Sequence, residues 1–109
     1  MVAGAVSVTK STLAPDKVAY VFAIRLSESG GVPATITEAW VHFDNGFGGG
    51  CEYRAAQLGQ NRLAANGTLE IDPLTCGYLG SAAFNAQVHV NFTDENRHLG
   101  TVSVLVNSL

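Results

Sequence analysis

The 109-residue chain predicts an all-β fold, an antiparallel β-sandwich of Greek-key type with about seven strands, forming one domain over 1–109. Three observations point there. Apolar and polar residues alternate with a period of two over several stretches, most clearly from Phe84 to Val106. Glycine, proline and small polar residues interrupt these stretches at short intervals. No segment carries the period and the caps of a sustained helix. Strands that follow one another without helices bury their apolar faces by packing sheet on sheet; a small closed barrel is the alternative.

The strands follow in order. Val2, Gly4, Val6 and Val8 make a first strand over 2–8, suited to a sheet edge, which Leu13-Ala14-Pro15-Asp16 breaks. Residues 18–26 form the bulkiest strand of the first half, with Val18, Tyr20, Phe22, Ile24 and Leu26 on one face. Residues 27–33 collect glycine, serine and proline and read as a loop. Residues 35–43 are rich in β-branched and aromatic side chains, but their alternation is ambiguous. Ile36 and Trp40 share a parity with Glu38 and His42, whereas Ala39, Val41 and Phe43 take the other. Trp40 is expected between the sheets, with Val41 and Phe43 against a partly covered second face.

The stretch 44–50, Asp-Asn-Gly-Phe-Gly-Gly-Gly, is the most glycine-rich of the chain and reads as a loop. Its Phe47 either folds back onto the core or is offered to a partner. Residues 51–54 read as a short fourth strand and 55–58 as one helical turn. Residues 67–74 form a strand with Leu69 and Ile71 inward, stopped by Pro73, after which 76–80 carries the chain to the final hairpin. There Phe84, Ala86, Val88, Val90 and Phe92 alternate with Asn85, Gln87, His89 and Asn91; beyond the polar run 93–98 the pattern resumes with Val102, Val104 and Val106.

Composition bounds the function. With 47% apolar and 14% charged residues, the chain buries enough surface to offset the entropy of ordering, and its length suffices for a core without metal or several disulfides. The net charge is -3, and Lys10, Lys17, Arg25, Arg54, Arg62 and Arg97 are scattered. No basic stripe faces phosphates, so nucleic acid is not an expected partner. No apolar run approaches the ~20 residues of a membrane-spanning helix. The first residues lack the basic and hydrophobic blocks of a signal peptide; Met1 followed at once by strand-like Val-Ala-Gly-Ala-Val-Ser-Val fits a domain boundary within a longer chain. Cys51 and Cys76, with no CxxC and no paired histidines, do not form a zinc set. They either close one loop as a disulfide, which would add roughly 3 kcal/mol, or stay as buried thiols; the bonded form places the domain outside the reducing cytosol.

A hydrolase needs a nucleophile beside an oriented base. His42, His89 and His98 lie in a strand, a strand and a turn, none next to a G-x-S-x-G elbow, so neither catalysis nor a cofactor is expected. Asp94, Glu95 and Asn96 place oxygens together where calcium is imaginable. Yet the local donors fall short of the ~6–8 that calcium takes, and Asp and Asn are ordinary turn residues. Asn66-Gly67-Thr68 and Asn91-Phe92-Thr93 are formal glycosylation sequons that turn and strand formation also explain.

Residues 63–71, Leu-Ala-Ala-Asn-Gly-Thr-Leu-Glu-Ile, and 88–96, Val-His-Val-Asn-Phe-Thr-Asp-Glu-Asn, resemble the back half of bacterial immunoglobulin-like and fibronectin-III-like modules. Trp40 sits where an immunoglobulin-like third strand often holds a tryptophan. The cysteines depart from the antibody pattern, since neither lies in the second strand or in the sixth as the alternation draws it, the one that opens at Phe84. The resemblance implies a non-catalytic adhesion, spacer or substrate-presenting unit, extracellular or at the cell surface, within a larger secreted protein, with a protein or a glycan as its partner. Phe47, Tyr53 and Tyr78 are the candidate contacts. Gly46-Phe47-Gly48-Gly49 also resembles the G-x-G-G loop of chagasin-type cysteine-protease inhibitors, although that family's N-P-T-T-G and arginine-proline-aromatic loops are missing. The loop from Gly46 to Gly50 is thus the alternative site, for protease inhibition or ligand binding. Finally, the edge strands 2–8 and 102–106 lack proline and lysine, which allows a homodimer across a two-fold axis.

Overall fold

The computed structural model describes residues 1–14, 17–44, 50–79 and 85–107. They form two antiparallel sheets, the first in the order β1 (Val2–Ala14), β2 (Lys17–Glu28), β6 (Thr68–Leu79). The second runs β4 (Gly50–Arg54), β3 (Ala34–Asp44), β7 (Asn85–Asp94), β8 (Leu99–Asn107), and the two-residue β5 (Arg62–Leu63) also pairs with β3. A 3-10 turn over Ala55–Gln57 follows β4. The chain crosses between sheets after β2, returns to lay β6 beside β2, and crosses again to β7. This is the all-β sandwich that the alternation and the absence of helical periods predict. No helix among the described residues is long and apolar enough to cross a membrane.

The core lies where the inward faces meet. Tyr20, Phe22, Ile24 and Leu26 of β2 and Leu69, Ile71 and Leu74 of β6 pack against Ile36, Ala39, Val41 and Phe43 of β3 and Ala86, Val88 and Val90 of β7. The rings of Tyr20, Phe22 and Phe43 are 5.3–6.5 Å apart and tilted by 42–44°, within the separations that aromatic pairs favour.

Two bulges account for the differences from the sequence reading. On β3, Ile36 faces Phe92 while Glu38 faces Asn91, so Thr37 is an extra residue with no partner on β7. Its hydroxyl donates to the Asn91 carbonyl at 3.2 Å. Because side chains alternate with period two, one inserted residue flips the faces of everything beyond it. Ile36 is inward before the bulge and Ala39, Val41 and Phe43 are inward after it. The expected placement of Trp40 between the sheets is therefore wrong: it is half-buried on the outer face, while Val41 and Phe43 lie in the core. On β6, Asp72 and Pro73 together face Ala23. Pro73, which the sequence reading takes as the end of the strand, sits in that bulge on an edge strand, where a missing N–H is tolerated, and β6 continues to Leu79. Likewise β1 runs to Ala14 rather than ending at Val8, because its pairing with β2 continues through Thr12 opposite Val18.

The two long sides of the sandwich are closed differently. On one side Cys51 of β4 is bonded to Cys76 of β6, with the Cα atoms 6.0 Å apart. The Tyr53 hydroxyl donates to the Thr75 carbonyl at 2.7 Å, and burial pushes the Tyr53 phenol up from its usual pKa. This bridge joins the two sheets at edge strands rather than at central ones. On the opposite side β1 lies across from β8, where half-buried Val2, Val6, Val8, Val102 and Val106 line the seam. A Cβ at Gly4 would come within 3.0 Å of Val102 and 3.6 Å of Val104.

At one end of the sandwich Glu28, 4% exposed, ties two connections together. Its Oε1 accepts the N–H groups of Val32 (2.7 Å) and Asn66 (3.4 Å), and its own N–H donates to the Gly67 carbonyl. Asn66 adopts the left-handed conformation (φ 52°) that this turn needs. Burial raises the Glu28 pKa, but the N–H groups of Val32 and Asn66, the nearby Met1 amine and the Gly31 N–H outweigh it, and the net position lies below the ordinary glutamate value.

A folded pKa below the unfolded one means that the Glu28 contribution is fully present above the ordinary glutamate pKa and is lost as pH falls through the folded value. Glu28→Gln should flatten the acid limb of the stability curve, measured by urea unfolding between pH 7 and pH 2. Replacing both Cys51 and Cys76 by serine should cost about 3 kcal/mol and lower the Tm by roughly 10–20 °C in thermal unfolding.

Candidate binding face

The Thr37 bulge gives the outer face of the second sheet its character. Three cross-strand rows run across β4, β3, β7 and β8. One is Glu52, Trp40, His89, Ser103; the next is Arg54, Glu38, Asn91, Thr101; the third is Gly50, His42, Gln87, Leu105. The Trp40 indole stacks on the His89 imidazole, with centroids 4.0 Å apart and planes 18° from parallel. His89 is held on both sides, by Ser103 Oγ at 2.8 Å from Nδ1 and by Gln87 Oε1 at 3.2 Å from Nε2. Thr101 donates to Asn91 Oδ1 at 2.8 Å. An aromatic pair thus stands among amides, hydroxyls and a few charges, on a rigid four-stranded support. The outer face of the first sheet differs. Ala3, Ala5, Ser7, Val21 and Ala23 leave it shallow, crossed by an exposed Arg25–Glu70 pair at 3.8 Å of little energetic weight.

The Ser103–His89–Gln87 chain shares part of the logic of a catalytic triad. Gln87 Oε1 can only accept, which puts the proton on Nε2 and leaves Nδ1 to accept from the Ser103 hydroxyl. Two features separate it from a hydrolase site. A neutral amide does not stabilise an imidazolium as a carboxylate does, and Ser103 lies in a strand that pairs with β7 without a register shift rather than at a strained elbow.

Of the sequence-derived contact residues, Tyr53 is the one whose side chain the structure describes. Tyr53 is half-buried and belongs to the clasp beside the disulfide. Tyr78 is in β6 opposite Val18, and its side chain lies outside what the structure describes. Phe47 and the loop residues from Gly46 to Gly49 lie outside the described residues. Of that loop Gly50 is described, so close to the Val41 backbone that a Cβ would overlap it. In the β7–β8 turn the His98 N–H reaches Asp94 Oδ1 at 2.9 Å and holds that carboxyl below its usual pKa; partial burial opposes this, and the His98 imidazole and Asn96 N–H add to it. Glu95 pairs with Arg62. Two of the groups considered for calcium thus have other partners, Asp94 within the turn and Glu95 on β5. His98 stays at that turn, remote in register from His42 and His89.

What the sequence reading missed is the Trp40–His89 stack and the Ser103 and Gln87 contacts around it. The alternation of β7 already put His89 outward, but only the bulge puts Trp40 beside it.

No family model matches the chain, and no curated protein matches it. Solved structures share its fold. The structural-genomics target SoR45 is 11% identical, with a TM-score of 0.68 and an alignment covering 98% of this chain and 86% of that one. A Bordetella pertussis protein provisionally assigned as ApaA is 16% identical, with a TM-score of 0.65 and coverage of 99% and 94%. At these identities the likeness extends to the fold alone.

The Trp40–His89 stack should be worth about 0.5–1.5 kcal/mol beyond buried area. A double-mutant cycle of Trp40→Ala and His89→Ala, read by chemical denaturation, should return a coupling of that size; a coupling near zero would mean the rings merely lie side by side.

Proposed function

We propose that the chain is a non-catalytic immunoglobulin-like interaction module of a secreted or surface protein, and that it binds a protein partner through the outer face of the β4-β3-β7-β8 sheet. The observation that carries this reading is Trp40. A strand register that removes the chain's single tryptophan from the core forgoes the burial of a large ring, and the ring is instead fixed against His89 at the centre of a flat face. Protein interfaces combine an aromatic centre with a polar, charged rim, and Trp40 with His89, ringed by Glu38, Glu52, Arg54 and Gln87, has that composition. Rigid support for the ring also limits the entropy lost on binding. The Cys51–Cys76 bond fits a compartment outside the reducing cytosol. Because one fold hosts many functions, the surface carries this reading and the sandwich does not.

Tyrosine and tryptophan at interface centres typically cost ~2 kcal/mol or more when truncated, about thirty-fold in Kd. On an immobilised panel of secreted and surface proteins and of glycans, a protein partner should bind the native chain and lose at least tenfold in affinity for Trp40→Ala, with the variant still folded at the assay temperature by circular dichroism. Binding that survives Trp40→Ala, or that is confined to glycans, would overturn the assignment. Loss of binding only on Phe47→Ala would move the site to the loop from Gly46 to Gly50.

A further inference from the structure

The sandwich has four sheet edges, and three of them carry features that discourage another strand from pairing. β1 has Lys10 and an irregularity between Thr12 and Ala14. β6 has Glu70, Asp72 and the bulge at Pro73. The β4 and β5 edge is made of strands of five and two residues that carry Glu52, Arg54 and Arg62. Short length, charge, proline and bulges are the known ways of blunting an edge. β8 has none of them. Over nine residues, Leu99–Asn107, it has no charge and no proline, and it pairs with β7 alone without a register shift. It also carries two of the chain's exposed large apolar side chains, Leu99 at 84% and Leu105 at 55% exposure.

We propose that β8 is the dimer interface of this protein and that it pairs antiparallel with β8 of a second copy across a two-fold axis at Val102. The sequence of the strand selects both the partner and the register. In a two-fold antiparallel pair centred on Val102, Leu99 stands opposite Leu105 of the other copy and Leu105 opposite its Leu99. Thr101 stands opposite Ser103, and Val102 opposite itself. Each exposed leucine gains an apolar cross-strand neighbour, and the hydroxyl residues face one another, both favourable pairings. No like charges meet, because the strand has none. A centre one residue further on, at Ser103, would set Leu105 against Thr101 and leave Leu99 opposite Asn107.

The surface at this side is large enough. Nine residues span about 30 Å, and the smallest dimension of the molecule is 19 Å, so the two copies together would cover about 1,200 Å², the lower end of the range for specific interfaces. The same axis brings the two β1 edges toward one another, since β1 lies across from β8. The half-buried Val2, Val6, Val8, Val102 and Val106 would then lie beneath a continuous pair of sheets. The second sheets of the two copies become continuous across the axis and present two Trp40–His89 centres on one face. The proposal does not depend on what those centres bind.

Sedimentation equilibrium over 1–500 μM tests it, with one substitution and one crosslink to fix the register. The native chain should pass from monomer to dimer within that range. Leu105→Lys, at an exposed position, should weaken dimerisation at least tenfold and leave unchanged the Tm read at a concentration where both chains are monomeric. In a Leu99→Cys, Leu105→Cys chain, a short bismaleimide should join two copies efficiently; the native cysteines are already paired, and positions six apart on one strand are too distant to bridge within a copy. A monomer at all concentrations overturns the proposal. A dimer that Leu105→Lys leaves intact and that the reagent fails to trap places the interface elsewhere and overturns it equally.

Discussion

Thr37 has no counterpart on β7, and the shift it introduces sets the composition of both faces of the larger sheet. Inward, it delivers Ala39, Val41 and Phe43 to meet Tyr20 and Phe22, so the core closes with aromatic contacts at its centre. Outward, it delivers Glu38, Trp40 and His42. Without the extra residue, a strand with Ile36 inward would also send Glu38 and His42 inward, and two ionisable groups would lose their hydration without partners. The bulge reconciles a strand whose two halves have opposite parity, and its unpaired position is made good by a bond from the Thr37 hydroxyl to the Asn91 carbonyl.

A second asymmetry runs across the sandwich. On the β4–β6 side a covalent bond and the Tyr53–Thr75 hydrogen bond hold the sheets together. On the β1–β8 side, among the described residues, half-buried valines meet, with the Val102 and Val104 side chains close over Gly4. A bonded side does not need a large apolar seam, and an unbonded seam of valines retains apolar area that water still reaches. The strand that carries two exposed leucines is on that second side. Local contacts and edge chemistry therefore agree on which side of the molecule is finished and which is open.

Much of this was legible in the sequence, and the exceptions have physical causes. Alternation marked the inward face of β7, and in β2 the bulk of Tyr20, Phe22, Ile24 and Leu26 against Ala19, Val21 and Ala23 did so, because one face of each strand must fill the core. The hairpin at 94–99 was legible from Asp94 and Asn96. β3 was not, because a single inserted residue leaves no composition signal; the reversed parity of Ile36 against Val41 and Phe43 was its only trace, and without a partner strand that trace reads as ambiguity. Pro73 misled for a related reason, since proline ends central strands but is accommodated in an edge bulge. The cysteines marked a possible bond without marking which strands it would join. The candidate face was the least legible part, as His89, Ser103 and Gln87 come together only through cross-strand register with a strand whose own register was hidden.

The placement of Trp40 can be measured in solution, because it is the chain's only tryptophan and its fluorescence reports one position. Acrylamide quenching of the folded protein, compared with the same protein in denaturant, measures whether water-borne quencher reaches the ring. Trp40 on the outer face should be substantially quenched in the folded state, to an extent altered by His89→Ala, which removes the ring it rests on. A blue-shifted emission that acrylamide barely touches, unchanged by His89→Ala, would put Trp40 between the sheets and contradict the register on which the proposed binding face depends.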